Sequence, residues 1–172
     1  MSLERRVRER AAGLLAFCRE GGYNEHIAIF IDLSRHSGRC RFVVWNFEQG
    51  RTMLVCPVSH GSGSKISHKR SAYAQLSNED GSHLSSVGRA LVAERYVGRY
   101  GVAYRLDGLD TSNSNLRSRC VVLHSWKHTT SYPIWPIATV GSFGCPVVSQ
   151  KVMRHLDDIL QRYSGVVVDT FV

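Results

Sequence analysis

Short apolar runs separated by turn-forming residues constrain this chain more than any other feature. Ala28 to Leu33, Cys40 to Phe47 and Thr52 to Val58 follow one another through Ser34-Arg35-His36-Ser37-Gly38 and Glu48-Gln49-Gly50-Arg51, the pattern of a three-stranded meander. Strand-like runs resume at Arg89 to Tyr96, Gly101 to Leu106, Cys120 to His124 and Val166 to Val172. Only two segments carry apolar residues at helical spacing. Leu3, Val7, Ala11, Leu14, Leu15 and Cys18 form one, ended by Gly21-Gly22, and Val152, Met153, Leu156, Ile159 and Leu160 form the other behind a Ser149 N-cap. The expected fold is therefore α+β and predominantly β. One sandwich- or barrel-like mixed sheet carries an N-terminal helix over residues 1–21 and a C-terminal helix from Ser149 to Tyr163. With 172 residues, 43% hydrophobic, and no linker or repeat, a single domain over 1–172 is expected.

Two long segments escape this pattern. From His60 to Ser86 the chain is polar and rich in Ser, Gly and His, and from Ser125 to Phe143 it is irregular around Pro133, Trp135 and Pro136. Segments of that length without periodicity in a compact domain commonly serve function, so both are read as loops lining a cleft.

Lys and Arg outnumber Asp and Glu 22 to 14, a net charge of +8 that favours anionic surroundings. The charge is spread along the chain with no recognised nucleic-acid motif, and Gly61-Ser62-Gly63-Ser64-Lys65 lacks the leading half of a phosphate-binding loop, so nucleic acid is not an expected partner. No apolar run approaches the roughly 20 residues of a membrane span. The basic start followed by Ala11 to Cys18 is too short and too interrupted for a secretion signal, and Phe17 spoils a lipidation site at Cys18. No export signal is read in the chain, and no membrane-spanning segment is expected.

The five cysteines form no C-x-x-C pair and are odd in number, which leaves at least one free thiol. Cys145 has unusual neighbours: Gly144 lets backbone approach a substrate closely, Pro146 follows, and a helix start lies a few residues on. A nearby helix N-terminus favours a thiolate, and the amides of Gly144 and Cys145 suit an oxyanion hole, the feature acyl transfer most needs. Of the eight histidines, His124 stands best as a base, at the end of an apolar strand upstream of the cysteine. Several histidines (His60, His68, His83, His124, His128) could be imagined as metal ligands. His124-Ser125-Trp126-Lys127-His128 nevertheless lacks the acidic second residue of H-E-x-x-H and leaves a strand rather than riding a helix, so neither metal nor cofactor is expected.

At these residues the chain resembles a known family. Cys120-Val121-Val122-Leu123-His124-Ser125 followed by Ser142-Phe143-Gly144-Cys145-Pro146 resembles the H-G … S-H-G-C signature of L,D-transpeptidase catalytic domains, the YkuD-like family, most closely a divergent branch with S-W-G-C-P at the nucleophile. Gly22-Tyr23-Asn24 before Ile31-Asp32-Leu33-Ser34, Ser59-His60-Gly61-Ser62-Gly63-Ser64, Leu76 to Ser82 and Arg105 to Leu109 are similar to further family motifs in the same order. The resemblance implies a peptidoglycan L,D-transpeptidase. Cys145 would attack the L,D-peptide bond of a murein stem peptide and form a thioester, with His124 as base and the Ser142 carbonyl orienting it. Stem peptides are the implied partners, carbapenem β-lactams the implied acylating inhibitors, and the periplasm or cell envelope the implied location. Water in place of an amine would make it an L,D-carboxypeptidase, and loss of turnover a wall-binding domain.

Three positions depart from the family pattern: Ser125 for the glycine after the first histidine, Phe143 for the histidine two before the cysteine, and Pro146 for the arginine after it. Arg105, Arg119 or Arg89 would have to supply the missing positive charge. His60, Ser86, Gly88, Arg105, Trp126 and Phe143 are the residues the resemblance places on the substrate. Ser85-Ser86-Val87-Gly88 stands where the family has its T-P-x-G turn.

Overall fold

A computed structural model describes residues 1–66 and 69–172. His68 therefore lies outside the described residues. The chain runs α1 (Leu3–Gly21), β1 (Ile27–Asp32), β2 (Phe42–Asn46), β3 (Arg51–Cys56), β4 (Gly88–Gly98), β5 (Gly101–Gly108), β6 (Val122–Ser125), β7 (Val147–Val148), α2 (Gln150–Leu160) and β8 (Val167–Phe171). This is the predominantly β, mixed-sheet fold with two flanking helices that the periodicity implies.

The helices end where their residue chemistry demands. Ser2 Oγ accepts from the Arg5 amide to cap α1, and Gly22, at φ 68°, closes it in the left-handed conformation that glycine adopts without penalty. Ser149 does for α2 what Ser2 does for α1, accepting from the Val152 amide.

One eight-stranded sheet holds the molecule, in the order β3-β2-β1-β8-β4-β5-β6-β7. Two neighbouring pairs are parallel, β1 with β8 and β6 with β7, and the rest are antiparallel. The sheet nearly closes into a barrel because the chain leaving β3 reaches β7. The Ser59 amide donates to the Val147 carbonyl at 2.8 Å and the Val147 amide returns the bond at 3.3 Å. Closure removes the exposed edges that an open sheet would present at both ends.

Strand β1 shows why the central strands read as unbroken apolar runs. Ile27, Ile29 and Ile31 face one core with Phe42, Val44, Leu123 and the buried side of α2, while Ala28 and Phe30 face a second core beneath α1 with Val43, Trp45, Val167 and Phe171. Strand residues alternate between faces, and here both faces are covered.

A buried polar chain runs along the end of the meander. Arg41 is fully buried and donates to the Val58 carbonyl from Nε and Nη2, to the Arg35 carbonyl, and to His60 Nδ1 at 2.5 Å. His60 is 1% exposed, and its Nε2 meets Ser71 Oγ at 3.0 Å. Since Nδ1 accepts, the ring is neutral with its proton on Nε2. Burial, with Arg41 beside it, pulls the His60 pKa down to about 3.

This depression carries a sign. The unfolded chain takes a proton on His60 near pH 6.5 and the folded chain does not, so stability present above that pH is lost as the pH falls. Urea denaturation between pH 6.5 and pH 4.5, above the carboxylate range, should show stability falling by up to about 1.4 kcal/mol per pH unit per such proton, and His60→Asn should flatten that slope.

Candidate active site

The strand register brings Cys145 to His124. Val147 pairs with His124 and Val148 with Ser125 in the parallel β6–β7 ladder, so the loop that carries Cys145 arrives alongside β6 two residues before the first pair. The Val122 amide donates to Cys145 Sγ at 3.4 Å, and the His124 amide reaches the Pro146 carbonyl at 3.4 Å. A cleft of about 180 Å³ then has Cys145, His124, Trp126, Ser142, Phe143 and Tyr100 among its walls.

This placement differs from the one expected near a helix start. Strand β7 stands between Cys145 and α2, so the cysteine sits at a sheet edge rather than on a helix N-terminus. Burial raises its thiol above the ordinary 9.0, with the Val122 amide and the Arg119 charge only partly opposing it. The resting sulfur is a thiol, where the sequence suggested a thiolate.

His124 complements it. Its Nδ1 meets the Ser125 carbonyl at 2.9 Å, which places the proton on Nδ1 and leaves Nε2 as an acceptor. Burial, against that one hydrogen bond, holds the ring below its ordinary pKa, so it is neutral at pH 7. The orienting carbonyl is thus Ser125's and not Ser142's, whose carbonyl accepts from the Ser62 amide at 3.0 Å. Adjacent residues on one strand can form such a bond without help from a loop.

Ser142 acts through its hydroxyl instead. Oγ donates to the Cys145 carbonyl at 2.6 Å and accepts from the Gly144 amide at 3.2 Å, closing the nucleophile loop on itself. The Gly144 amide is therefore engaged, which turns the oxyanion-hole expectation toward the Cys145 amide. Gly144 has φ 118°, and a Cβ there would lie 3.0 Å from the Leu84 carbonyl and 3.3 Å from Arg119 Nη2, so only glycine fits.

Four residues expected on the substrate lie outside the cleft lining. His60 is buried on Arg41 and Ser71, and only its carbonyl touches the nucleophile loop, accepting from the Ser142 amide at 2.8 Å. Ser86 binds Arg119 and the Ser77 carbonyl behind the loop, while its neighbour Ser85 holds the loop, donating to the Gly144 carbonyl at 2.9 Å. Gly88 starts β4 at φ 122°, hemmed in by Asp110, Ser112 and Asn113. Arg105 lies 5.1 Å over the Tyr96 ring on β5. Trp126 and Phe143 do line the cleft.

Of Arg89, Arg105 and Arg119, only Arg119 comes to the loop that carries Cys145. Its guanidinium donates to the Ser77 and Leu84 carbonyls and to Ser86 and Ser82 Oγ, between 2.6 and 3.2 Å. Arg89 is spent on Asp110 and on the Phe17 ring. Arg119 thereby fastens the 77–86 segment to the turn before β6, and Ser85 ties that segment to the loop that carries Cys145.

Tyr100, which the sequence did not single out, also reaches the cleft. Tyr100, in the β4–β5 turn, stacks on the His124 ring with centroids 5.0 Å apart, and Ser125 Oγ donates to the Tyr100 carbonyl at 3.3 Å. The Ser125 substitution thus ties that turn to the histidine's strand. His83 packs 4.9 Å from Phe143. A lone aromatic in a turn carries no sequence signal. Among the described residues no group of three or more His, Cys, Asp or Glu is gathered to hold a metal, and no helix is long and apolar enough to cross a membrane.

The chain belongs to the L,D-transpeptidase catalytic domain family, which it matches over residues 2–168. No curated protein sequence matches it. Among solved structures it is similar to the avibactam carbamoyl enzyme of Ldtfm (16% identity, 86% of this chain and 49% of that one, TM-score 0.53). It is also similar to a cysteine-to-serine mutant of the Enterococcus faecium L,D-transpeptidase (16%, 86% and 50%, 0.52). The helical cell shape determining protein Pgp2 of Campylobacter jejuni is a third (12%, 86% and 48%, 0.51). Likeness at this identity establishes a shared fold, and the chain spans about half the length of each of these proteins.

Arg119→Met should orphan the Ser77 and Leu84 carbonyls and lower stability by roughly 2–3 kcal/mol in thermal denaturation. Alkylation of Cys145 by iodoacetamide, followed by peptide mass spectrometry, should climb through pH 9 without a lower plateau. The Arg119→Met profile should lie at still higher pH.

Proposed function

We propose that this chain is a cysteine-dependent peptidoglycan L,D-transpeptidase that works through a thioacyl-enzyme on Cys145. The observation that carries this reading is one cleft with the Cys145 thiol and a neutral, carbonyl-oriented His124 on its walls, in a chain of the L,D-transpeptidase family.

The chemistry follows from the protonation states. Because both groups rest neutral, the Cys145 proton passes to His124 Nε2 as sulfur attacks the carbonyl carbon on the L-centre side of the scissile bond. The Val122 amide, already on the sulfur, stabilises the charge that develops there. The oxyanion of the tetrahedral intermediate falls to the Cys145 amide, with Gly144 allowing the substrate to come close. Collapse breaks the C–N bond, and the departing amine of the terminal D-amino acid takes the proton from His124. An acceptor amine then attacks the thioester carbonyl, gives its proton to His124, and restores the thiol. Tyr100, stacked on the ring, favours the transient imidazolium through its π face. The substrate places the protein's work in the cell envelope.

Intact-mass measurement after incubation with a tetrapeptide muropeptide, a carbapenem or avibactam should show a covalent adduct on the native chain and none on Cys145→Ala. Loss of the neutral base in His124→Ala should slow adduct formation by about 10²-fold or more. Adduct on Cys145→Ala, or unchanged kinetics in His124→Ala, would overturn the assignments.

A further inference from the structure

The two polar loops build a surface whose apolar side chains serve neither the core nor the cleft. Its frame is the turn at 36–39, which sits between them. The Ser37 amide donates to the Ala72 carbonyl at 2.8 Å, and the Ile134 and Trp135 amides donate to the Gly38 carbonyl at 2.8 and 3.0 Å. A Cβ on Gly38 would lie 2.0 Å from the Ile137 carbonyl oxygen, so glycine lets the three segments close on one another. Side chains then gather around the turn. The Tyr73 ring meets the His36 ring edge-on with centroids 5.4 Å apart, and the Arg39 guanidinium lies 4.4 Å over the Trp135 ring. Tyr73, Trp135 and Ile137 are nevertheless 64%, 55% and 56% exposed, and none of them lines the cleft. Large apolar side chains left together in water mark an interaction surface.

Charge narrows the partner. No Asp or Glu occurs between Asp32 and Glu48, between Glu48 and Glu79, or between Asp110 and Asp157, so the three segments that meet here carry cations without anions. Arg39, Lys69 and Arg70 are exposed, and none meets a carboxylate within salt-bridge distance among the described residues. The segment of Lys69 and Arg70 is held against the 138–141 stretch, where the Gly141 amide donates to the Lys69 carbonyl at 2.8 Å and Arg70 Nη1 donates to the Ala138 carbonyl at 2.5 Å. An anionic polymer would meet the cations and leave Ile137 in water, and a glycan would stack on the rings and do the same. An anionic bilayer uses every group: Trp and Tyr settle at headgroup level, an isoleucine reaches the acyl boundary, and Arg and Lys meet lipid phosphates.

We propose that the Tyr73–Trp135–Ile137 face docks this protein on an anionic phospholipid bilayer, with those three side chains at the headgroup boundary and Arg39, Lys69 and Arg70 on lipid phosphates. The contact is peripheral, in a chain where no helix among the described residues is long and apolar enough to cross a membrane. The 134–140 stretch runs directly into Gly141, Ser142 and Phe143, which line the cleft, so a docked molecule holds its cleft beside the lipid surface. Docking and catalysis use different side chains, and either can fail without the other.

The test is flotation of the full chain with vesicles of equimolar phosphatidylglycerol and phosphatidylethanolamine, with phosphatidylcholine vesicles as the neutral counterpart. The native protein should float with the anionic vesicles and stay behind with the neutral ones. Trp135→Ser/Ile137→Ser and Arg39→Glu/Lys69→Glu should each weaken binding by about tenfold or more, whereas Arg51→Glu/Arg162→Glu, an equal change of net charge at exposed positions elsewhere, should weaken it by less than about twofold. Thermal melts by circular dichroism show that each variant is folded. Lipids brominated in the acyl chain should quench tryptophan fluorescence in the native protein and fail to do so in Trp135→Phe, a conservative change that keeps a ring at the surface; Trp45 is buried. Absence of flotation with anionic vesicles, equal loss of binding in the Arg51/Arg162 pair, or quenching that survives Trp135→Phe would overturn the docking face. So would retention on purified murein sacculi that depends on these same residues while vesicle binding does not.

Discussion

Val147 and Val148 form only two residues of parallel strand, yet the position of the sulfur depends on them. Paired with His124 and Ser125 on one side and bridged to Ser59 on the other, they close the sheet and fix the loop that precedes them. Cys145 follows from that closure, because a chain held in register at 147 has little freedom at 145. Around it, glycine at 61, 141 and 144 lets three backbones converge: a Cβ on Gly61 would lie 2.4 Å from the His83 carbonyl, and one on Gly141 would lie 2.5 Å from Ser62 Cβ. The Ser59-His60-Gly61-Ser62 motif thus serves the site through its backbone, while the His60 side chain serves the core.

Electrostatics at the site follow from burial more than from charge. The thiol is pushed up and the imidazole down, so the pair rests neutral. Charge separation in a part-buried cleft is costly unless dipoles already point at it. The Val122 amide, the Ser125 carbonyl and the Tyr100 ring are such dipoles, and strands or a tied turn hold all three. Arg119 adds a positive charge, but its four hydrogen bonds make it first a fastener of the 77–86 segment and only second an electrostatic partner of the sulfur.

The three departures from the family's usual residues become intelligible together. Ser125 supplies a hydroxyl that a glycine lacks and uses it to anchor the Tyr100 turn. Phe143 exposes its ring at the cleft, with His83 packed beside it. Pro146 removes a side chain that could carry charge, and Arg119 approaches the same loop from behind through Gly144. Each change is compensated by a residue distant in sequence.

The sequence by itself determined every strand but β7 and both helices with the Ser149 cap, and it singled out Cys145 and His124. Those features depend on local periodicity, on capping chemistry and on short motifs, all of which are written in consecutive residues. Tertiary structure alone decided which carbonyl meets the His124 ring, that His60 belongs to a buried Arg41 network, that Ser85 rather than Ser86 grips the Cys145 loop, and that Tyr100 stacks on His124. It also decided the protonation of Cys145, because a thiol's pKa answers to the burial and dipoles around it. Each of these turns on which segments meet across the closed sheet, and strand order and register are set by packing among parts of the chain far apart in sequence.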